Sequence, residues 1–142
     1  MPMTFHVDVV SAEQEIFSGK AEMVFAPAEM GELGITPRHA PLLTRLEPGT
    51  VRVKTGPDED AIFYVSGGIL EIQPHLVTVL SDTALRARDI DEAAALEAKR
   101  RAEEALANQT GEVDIVRAQA ELMEALARLR TLEKIRKQLG GH

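Results

Sequence analysis

The chain carries two hydrophobic rhythms, and the change between them falls near residue 85. Before it, short apolar runs alternate with polar residues: Phe5, Val7 and Val9 around His6 and Asp8, Val51 and Val53 around Arg52, Leu70 and Ile72 around Glu71. A period of two puts neighbouring side chains on opposite faces of a strand, so each run predicts a half-buried β-strand. Residues 61–65 and 76–80 are more continuously apolar and predict strands buried on both faces. Turn-forming clusters separate the runs: Ser18-Gly19, Glu47-Pro48-Gly49, Thr55-Gly56-Pro57-Asp58, Gly67-Gly68 and Gln73-Pro74-His75. Strands and turns at this spacing predict a β-sandwich or flattened barrel over residues 1–85.

After residue 85 the period lengthens. Ala95, Ala98, Ala102 and Ala105 recur three and four residues apart, as do Ile115, Ala118, Leu122, Ala125, Leu129 and Leu132. This is one face of a helix, repeated twice. Asp89 with Glu92 three residues on resembles a capping box, so the first helix is expected over residues 90–108. Asn108-Gln109-Thr110-Gly111 breaks it, and a second helix is expected over residues 112–139, stopped by Gly140-Gly141. Small residues facing large ones let two antiparallel helices lie close, giving a helical hairpin over residues 86–142. Its seam is thin. An alanine stripe buries one methyl per position, worth ~0.8 kcal/mol per buried carbon, so the hairpin is able to detach or rearrange.

Composition sharpens the division. All seven prolines, all five aromatics and seven of the ten glycines precede residue 85, whereas residues 85–142 hold twelve alanines. Residues 1–84 carry 5 basic and 12 acidic side chains, and residues 85–142 carry 11 of each. The chain is therefore an acidic β domain joined at Ser81-Asp82-Thr83, without a linker, to a neutral helical one. With 142 residues, 44% of them hydrophobic, there is enough apolar material for a core. The absence of cysteine excludes disulfides, zinc-thiolate sites and thiol nucleophiles. A net charge of −7 argues against a general nucleic-acid binder, which needs surplus Lys and Arg for phosphates. No apolar run approaches the length of a membrane span, and Met1-Pro2-Met3-Thr4-Phe5-His6 lacks the basic and apolar regions of a signal peptide.

Most candidate chemistry reduces to local structure. Ser18-Gly19-Lys20 lacks the upstream glycine of a phosphate loop and reads as a turn. The histidines His6, His39, His75 and His142 form no helical pair with ligand spacing, so no metal is expected. Asp58-Glu59-Asp60 after Gly56-Pro57 reads as a solvated hairpin tip, and no Ser/His/Asp constellation follows from spacing. Two features stand out. Residues 31–43 place two glycines, two prolines and His39 between strands, as an irregular loop or a binding loop. Arg130, Lys134 and Lys137 form a basic stripe at i, i+4, i+7, in a segment (125–142) with five basic side chains against one acidic. It reads as a solvated face or as a docking surface.

The segments Gly31-Glu-Leu-Gly-Ile-Thr-Pro-Arg-His-Ala-Pro-Leu-Leu43, Val65-Ser-Gly-Gly-Ile-Leu-Glu-Ile-Gln-Pro74 and Val77-Thr-Val-Leu-Ser-Asp-Thr-Ala84 strongly resemble the epsilon subunits of bacterial rotary, F-type ATP synthases. Phe5-His-Val-Asp-Val-Val-Ser11 and the run from Asp91 to Glu104 resemble them too. The resemblance spans nearly the whole chain in order. It implies a sandwich of about ten strands followed by an antiparallel two-helix hairpin. It also implies a non-catalytic subunit of the central rotor stalk, peripheral at the cytoplasmic face of the inner membrane, with no bound cofactor. The sandwich would grip the gamma subunit and touch the membrane c-ring, with Glu32 and His39 carried over as ring contacts. Arg130, Lys134 and Lys137 would reach the catalytic beta subunits and block ATP hydrolysis. Some such subunits bind ATP through Ile or Leu, Asp, two variable residues, Arg, Ala. Here the run is Ile90-Asp91-Glu92-Ala93-Ala94-Ala95, so Asp91 matches and Ala94 stands where the Arg would be. The rival readings are a free-standing sandwich module with an unrelated tail, and a small hydrolase using His39 and Glu32.

Overall fold

The computed structural model describes residues 3–108 and 111–140. Eight strands come first: β1 (Phe5–Ser11), β2 (Glu15–Ala21), β3 (Met23–Ala28), β4 (Gly31–Ile35), β5 (Leu42–Gly56), β6 (Glu59–Ile72), β7 (Leu76–Ser81) and β8 (Ala84–Arg86). A 3-10 turn (Ala87–Asp89) then leads to α1 (Glu92–Asn108) and α2 (Glu112–Gly140). The strands run β2-β1-β7-β6-β5-β3-β4, with β8 also paired to β6, and only β1 and β7 are parallel.

Two long strands turn this path into a sandwich. The first part of β5 pairs with the end of β6, from Leu42↔Ile72 to Leu46↔Gly68, and resumes at Pro48↔Ser66. Between these pairs lie Glu47 and Gly67, where both strands bend; Gly67 and Gly68 take φ of 107° and 135°. A Cβ on Gly68 would stand 2.0 Å from the Leu80 carbonyl oxygen, so only glycine fits there. Because β5 and β6 each serve both layers, eight strands do the work of the expected ten. Val7, Val9, Leu70, Val77 and Val79 pack with Val24, Val51, Val53, Phe63 and Val65 in one core. Phe17 meets Phe63 edge-on at 5.6 Å.

Residues 61–65 are buried on both faces almost as the pattern predicts: Phe63 and Val65 fill the sandwich, while Tyr64 joins a second cluster with Ile90, Ala127 and Leu132. Residues 76–80 differ from expectation. Val77 and Val79 are buried but Leu80 is exposed, because β7 has its outer face open. The expected loop at 31–43 is also shorter, since Gly31–Ile35 is a strand paired to β3 and Leu42 already belongs to β5.

In α1 the cap falls two residues later than Asp89 suggested. Asp89 ends the 3-10 turn, and Asp91 caps the helix: its Oδ1 accepts from the Ala94 N–H at 3.1 Å, and its carbonyl from Ala95. The expected stripe is half right on this helix, with Ala95 and Ala102 buried but Ala105 exposed. Of the break between the helices, Gln109 and Thr110 lie outside the described residues, as do Met1, Pro2, Gly141 and His142.

Candidate functional site

The long helix α2 has two buried faces. Ala118 and Ala125, seven residues apart and buried, lie on a helix packed against α1, whose Ala95 and Ala102 are buried in turn. A second face, which the alanine spacing did not announce, seats α2 on β5 and β6. There Ala127 and Leu132 join Tyr64, and Thr131 Oγ1 lies 2.7 Å from Thr50 Oγ1. The Arg128 guanidinium lies 5.1 Å from the centre of the Tyr64 ring. Burial, with the Glu124 carboxylate nearby, pushes the Tyr64 phenol up, and Arg128 opposes the shift. Polar residues inside an apolar face erase its periodicity, which is why sequence spacing missed this one.

Seating α2 carries the basic stripe over the sandwich. Lys134 and Lys137 line a groove of about 370 Å³ with Glu32, Arg52 and Asp60. Arg130 and Lys134 line a smaller one of about 160 Å³, again with Glu32. Arg52 is already held by Asp60 at 3.5 Å and lies over the Phe25 ring at 4.2 Å, while Lys137 faces Glu133 at 3.8 Å. Arg130 and Lys134 make no ion pair among the described residues, and all three stripe residues are exposed. The stripe therefore sits in the acidic field of the sandwich without being locked to it. This juxtaposition of Glu32 with Lys134, about a hundred residues apart in sequence, has no local signal.

Glu32 and His39 come from one segment but do different things. Glu32 stands exposed on β4 opposite Pro27, at the α2 groove. His39 closes the turn Thr36-Pro37-Arg38-His39, in which its N–H donates to the Thr36 carbonyl at 3.3 Å. Arg38 takes φ of 66°, the left-handed position of a turn that usually holds glycine. The Arg38 N–H donates to the Pro74 carbonyl at 3.0 Å, which ties this loop to the β6–β7 turn. His39 Nδ1 donates to the Ala40 carbonyl at 2.7 Å. Among the described residues no hydrogen bond or ion pair joins His39 to Glu32, so the pair is not arranged as a catalytic dyad.

The structure does assemble one Ser/His/Asp group that spacing could not place. Ser18 Oγ donates to Asp8 Oδ1 at 2.8 Å, and His6 Nε2 lies 2.8 Å from the same oxygen and 2.9 Å from Ser18 Oγ. A nucleophilic relay needs the imidazole between serine and acid, with one nitrogen for each. Here one nitrogen meets both and the hydroxyl proton is spent on the carboxylate. The cluster clips β1 to β2. Among the described residues no group of His, Cys, Asp or Glu could hold a metal ion; His142 lies outside them. Asp91, the matching residue of the nucleotide motif, is engaged as the α1 cap with the Ala94 N–H.

A β-sandwich with a two-helix arm folded over one layer defines the class: a small β-sandwich protein whose chemistry lies in its docking surfaces. Residues 4–87 match the description "ATP synthase, Delta/Epsilon chain, beta-sandwich domain", and residues 88–133 match its "long alpha-helix domain". The chain is 65% identical over 140 residues to the ATP synthase epsilon chain of Nitrosococcus oceani, covering 99% of this chain and 100% of that one. It is 56% identical over 142 residues to that of Nitrosomonas europaea, covering both chains in full. The fold also matches a chain in the mitochondrial ATP synthase of Euglena gracilis, with a TM-score of 0.82, 16% identity, and coverage of 93% of this chain and 83% of that one. The chain belongs to the epsilon-chain family of ATP synthases.

Proposed function

We propose that the chain is the non-catalytic rotor subunit of a proton-translocating ATP synthase, coupling ring rotation to ATP synthesis and restraining ATP hydrolysis through its helices. The observation that carries this reading is the seating of α2: a long helix with a basic stripe, held on the sandwich by a small interface and, among the described residues, not locked there by ion pairs. Released, the helix would present Arg130, Lys134 and Lys137 to acidic surface on the catalytic beta subunits.

The sandwich (1–85) would act as the stalk-binding unit and the hairpin (86–142) as the regulatory one. On the outer face of β1, β6 and β7, Ile69 and Leu80 are paired and exposed beside Val10, an apolar row suited to the gamma subunit. Glu32 and the tied His39 loop would meet the polar loops of the c-ring, since both side chains can hydrogen-bond at a wet rim. No described helix is long and apolar enough to cross a membrane. The chain would take a peripheral place on the cytoplasmic face, held there by its partners. With Asp91 engaged as a cap and Ala94 offering only a methyl, nucleotide sensing is not assigned to this chain.

The deciding experiment is ATP hydrolysis by the whole assembled enzyme with and without residues 86–142. Faster hydrolysis by the enzyme lacking the hairpin is expected, with assembly intact. Equal rates would overturn the inhibitory role.

A further inference from the structure

Thr131 is fully buried on α2. Its hydroxyl donates to the Ala127 carbonyl at 2.8 Å, so its remaining capacity is as an acceptor, and Thr50 on β5 supplies the proton at 2.7 Å. Any rotation or one-turn slip of α2 breaks this bond. Around it the match is poor: Tyr64 Oη and Arg128 Nε are buried without a hydrogen-bond partner among the described residues. Both would regain partners in water. The apolar part of the seat is modest, resting on Ile90, Ala127, Leu132 and half-buried Leu85 against Tyr64. One well-aligned bond thus positions α2, and the Arg128 guanidinium adds its attraction to the Tyr64 ring. Tyr64 Oη and Arg128 Nε, left without a well-aligned partner, offset part of that gain.

We infer that the Thr50–Thr131 hydrogen bond is the latch that keeps the basic stripe stowed over Glu32 and Asp60, and that the unmatched Tyr64 and Arg128 atoms hold this latch near its opening point. The inference deepens the reading above, on which a released stripe is the inhibitory form. Its chemistry is asymmetric. Removing one hydroxyl leaves the other buried and unpaired, whereas removing both leaves two well-matched apolar side chains.

The test uses the isolated full chain. Tyr64 is the sole tyrosine and the chain has no tryptophan, so acrylamide quenching of its fluorescence reports directly whether α2 covers it. Tryptic cleavage after Arg128, half-buried against Tyr64 in the seated form, reports the open population. Thr131→Val should raise that population roughly five- to thirty-fold, with Tyr64 correspondingly easier to quench. Thr131→Ser, which keeps the hydroxyl, and the double change Thr50→Val with Thr131→Val should both return close to the wild type. Tyr64→Phe should slow cleavage several-fold. A Thr131→Val chain no more open than the wild type, or a double variant as open as the single, would overturn the latch. Opening by Thr131→Val without slower hydrolysis in the assembled enzyme would leave the latch standing and remove the inhibitory role of the released stripe.

Discussion

Arg136, near the end of α2, donates to the carboxylate of Glu92, the first residue of α1, across 44 positions of chain. The contact joins the start of α1 to the end of α2, and the guanidinium holds the Glu92 carboxyl below the usual carboxylate range. Further along α1, hydrogen bonding from Arg100, helped by its charge and by Arg101, holds Glu97 at about 2.

Acid should therefore loosen the hairpin before the sandwich. Both carboxyls titrate lower in the folded chain than in the unfolded one, so their stabilisation is present above the ordinary carboxylate range. It is lost as pH falls from about 4.5 towards 2, the interval over which Glu97 differs between the two states. Helical circular dichroism is expected to decline across that window ahead of the loss of amide-exchange protection in the sandwich strands. Glu97→Gln should flatten the decline, and an unchanged profile in that variant would assign the acid response to other groups.

The bend of β6 predicts a second outcome. Gly68→Ala puts a methyl group into the Leu80 carbonyl at a φ of 135°, whereas at Gly31, with φ of 124°, nothing lies within 4 Å of the added carbon. Backbone strain alone should cost Gly31→Ala about 1–3 kcal/mol, and Gly68→Ala should exceed it by about 1–3 kcal/mol through overpacking. Urea denaturation of the two variants side by side checks the difference.

Changing Arg130, Lys134 and Lys137 together to Glu tests the basic stripe. The substitution should raise hydrolysis by the assembled enzyme without affecting assembly. Partly desolvated pairs with the beta subunit would each contribute about 1–3 kcal/mol, and exposed pairs far less. The same variant should open more readily in isolation, because three carboxylates would then face Glu32 and Asp60. Hydrolysis unchanged and indifferent to salt would make the stripe a solvated face.

Calorimetric titration with ATP should show weak or no binding at millimolar concentration. The chain carries a net charge of −7, and the motif position that would hold a guanidinium holds Ala94. Ala94→Arg is the matched comparison. Binding that appears only in the variant would identify the missing side chain as the cause, and tight binding by the wild type would show that other arginines suffice.

The sandwich was legible because its signals are local: alternation in β1, the double burial of residues 61–65, and glycine or proline at the bends. Strand β4 was hidden by Gly31 and Gly34, which dilute its apolar pattern; it is held by pairing to β3, a partner outside its own sequence. The helix cap was ambiguous because Asp89 and Asp91 are both suitable, and the 3-10 turn that takes up Asp89 leaves Asp91 as the cap. The seat of α2 was not legible at all. Thr131 and Arg128 look like solvent-facing residues until β5 and β6 are placed beneath them. The loop at 31–43, with His39, stood out by its glycines and prolines, but Glu32 and the ring-contact role of both residues came from resemblance alone.

The continuity of β5 and β6 through both layers has a mechanical consequence. Stacked sheets joined only by side chains can shear, since side-chain packing resists sliding far less than covalent backbone does. Here two unbroken strands pass from the outer apolar row at Ile69 to the floor beneath α2 at Thr50 and Tyr64. A load applied at one face therefore travels along covalent backbone and paired peptide groups to the other. The domain should respond as a stiff lever rather than as two plates, and twisting it would require breaking strand pairing at the bends.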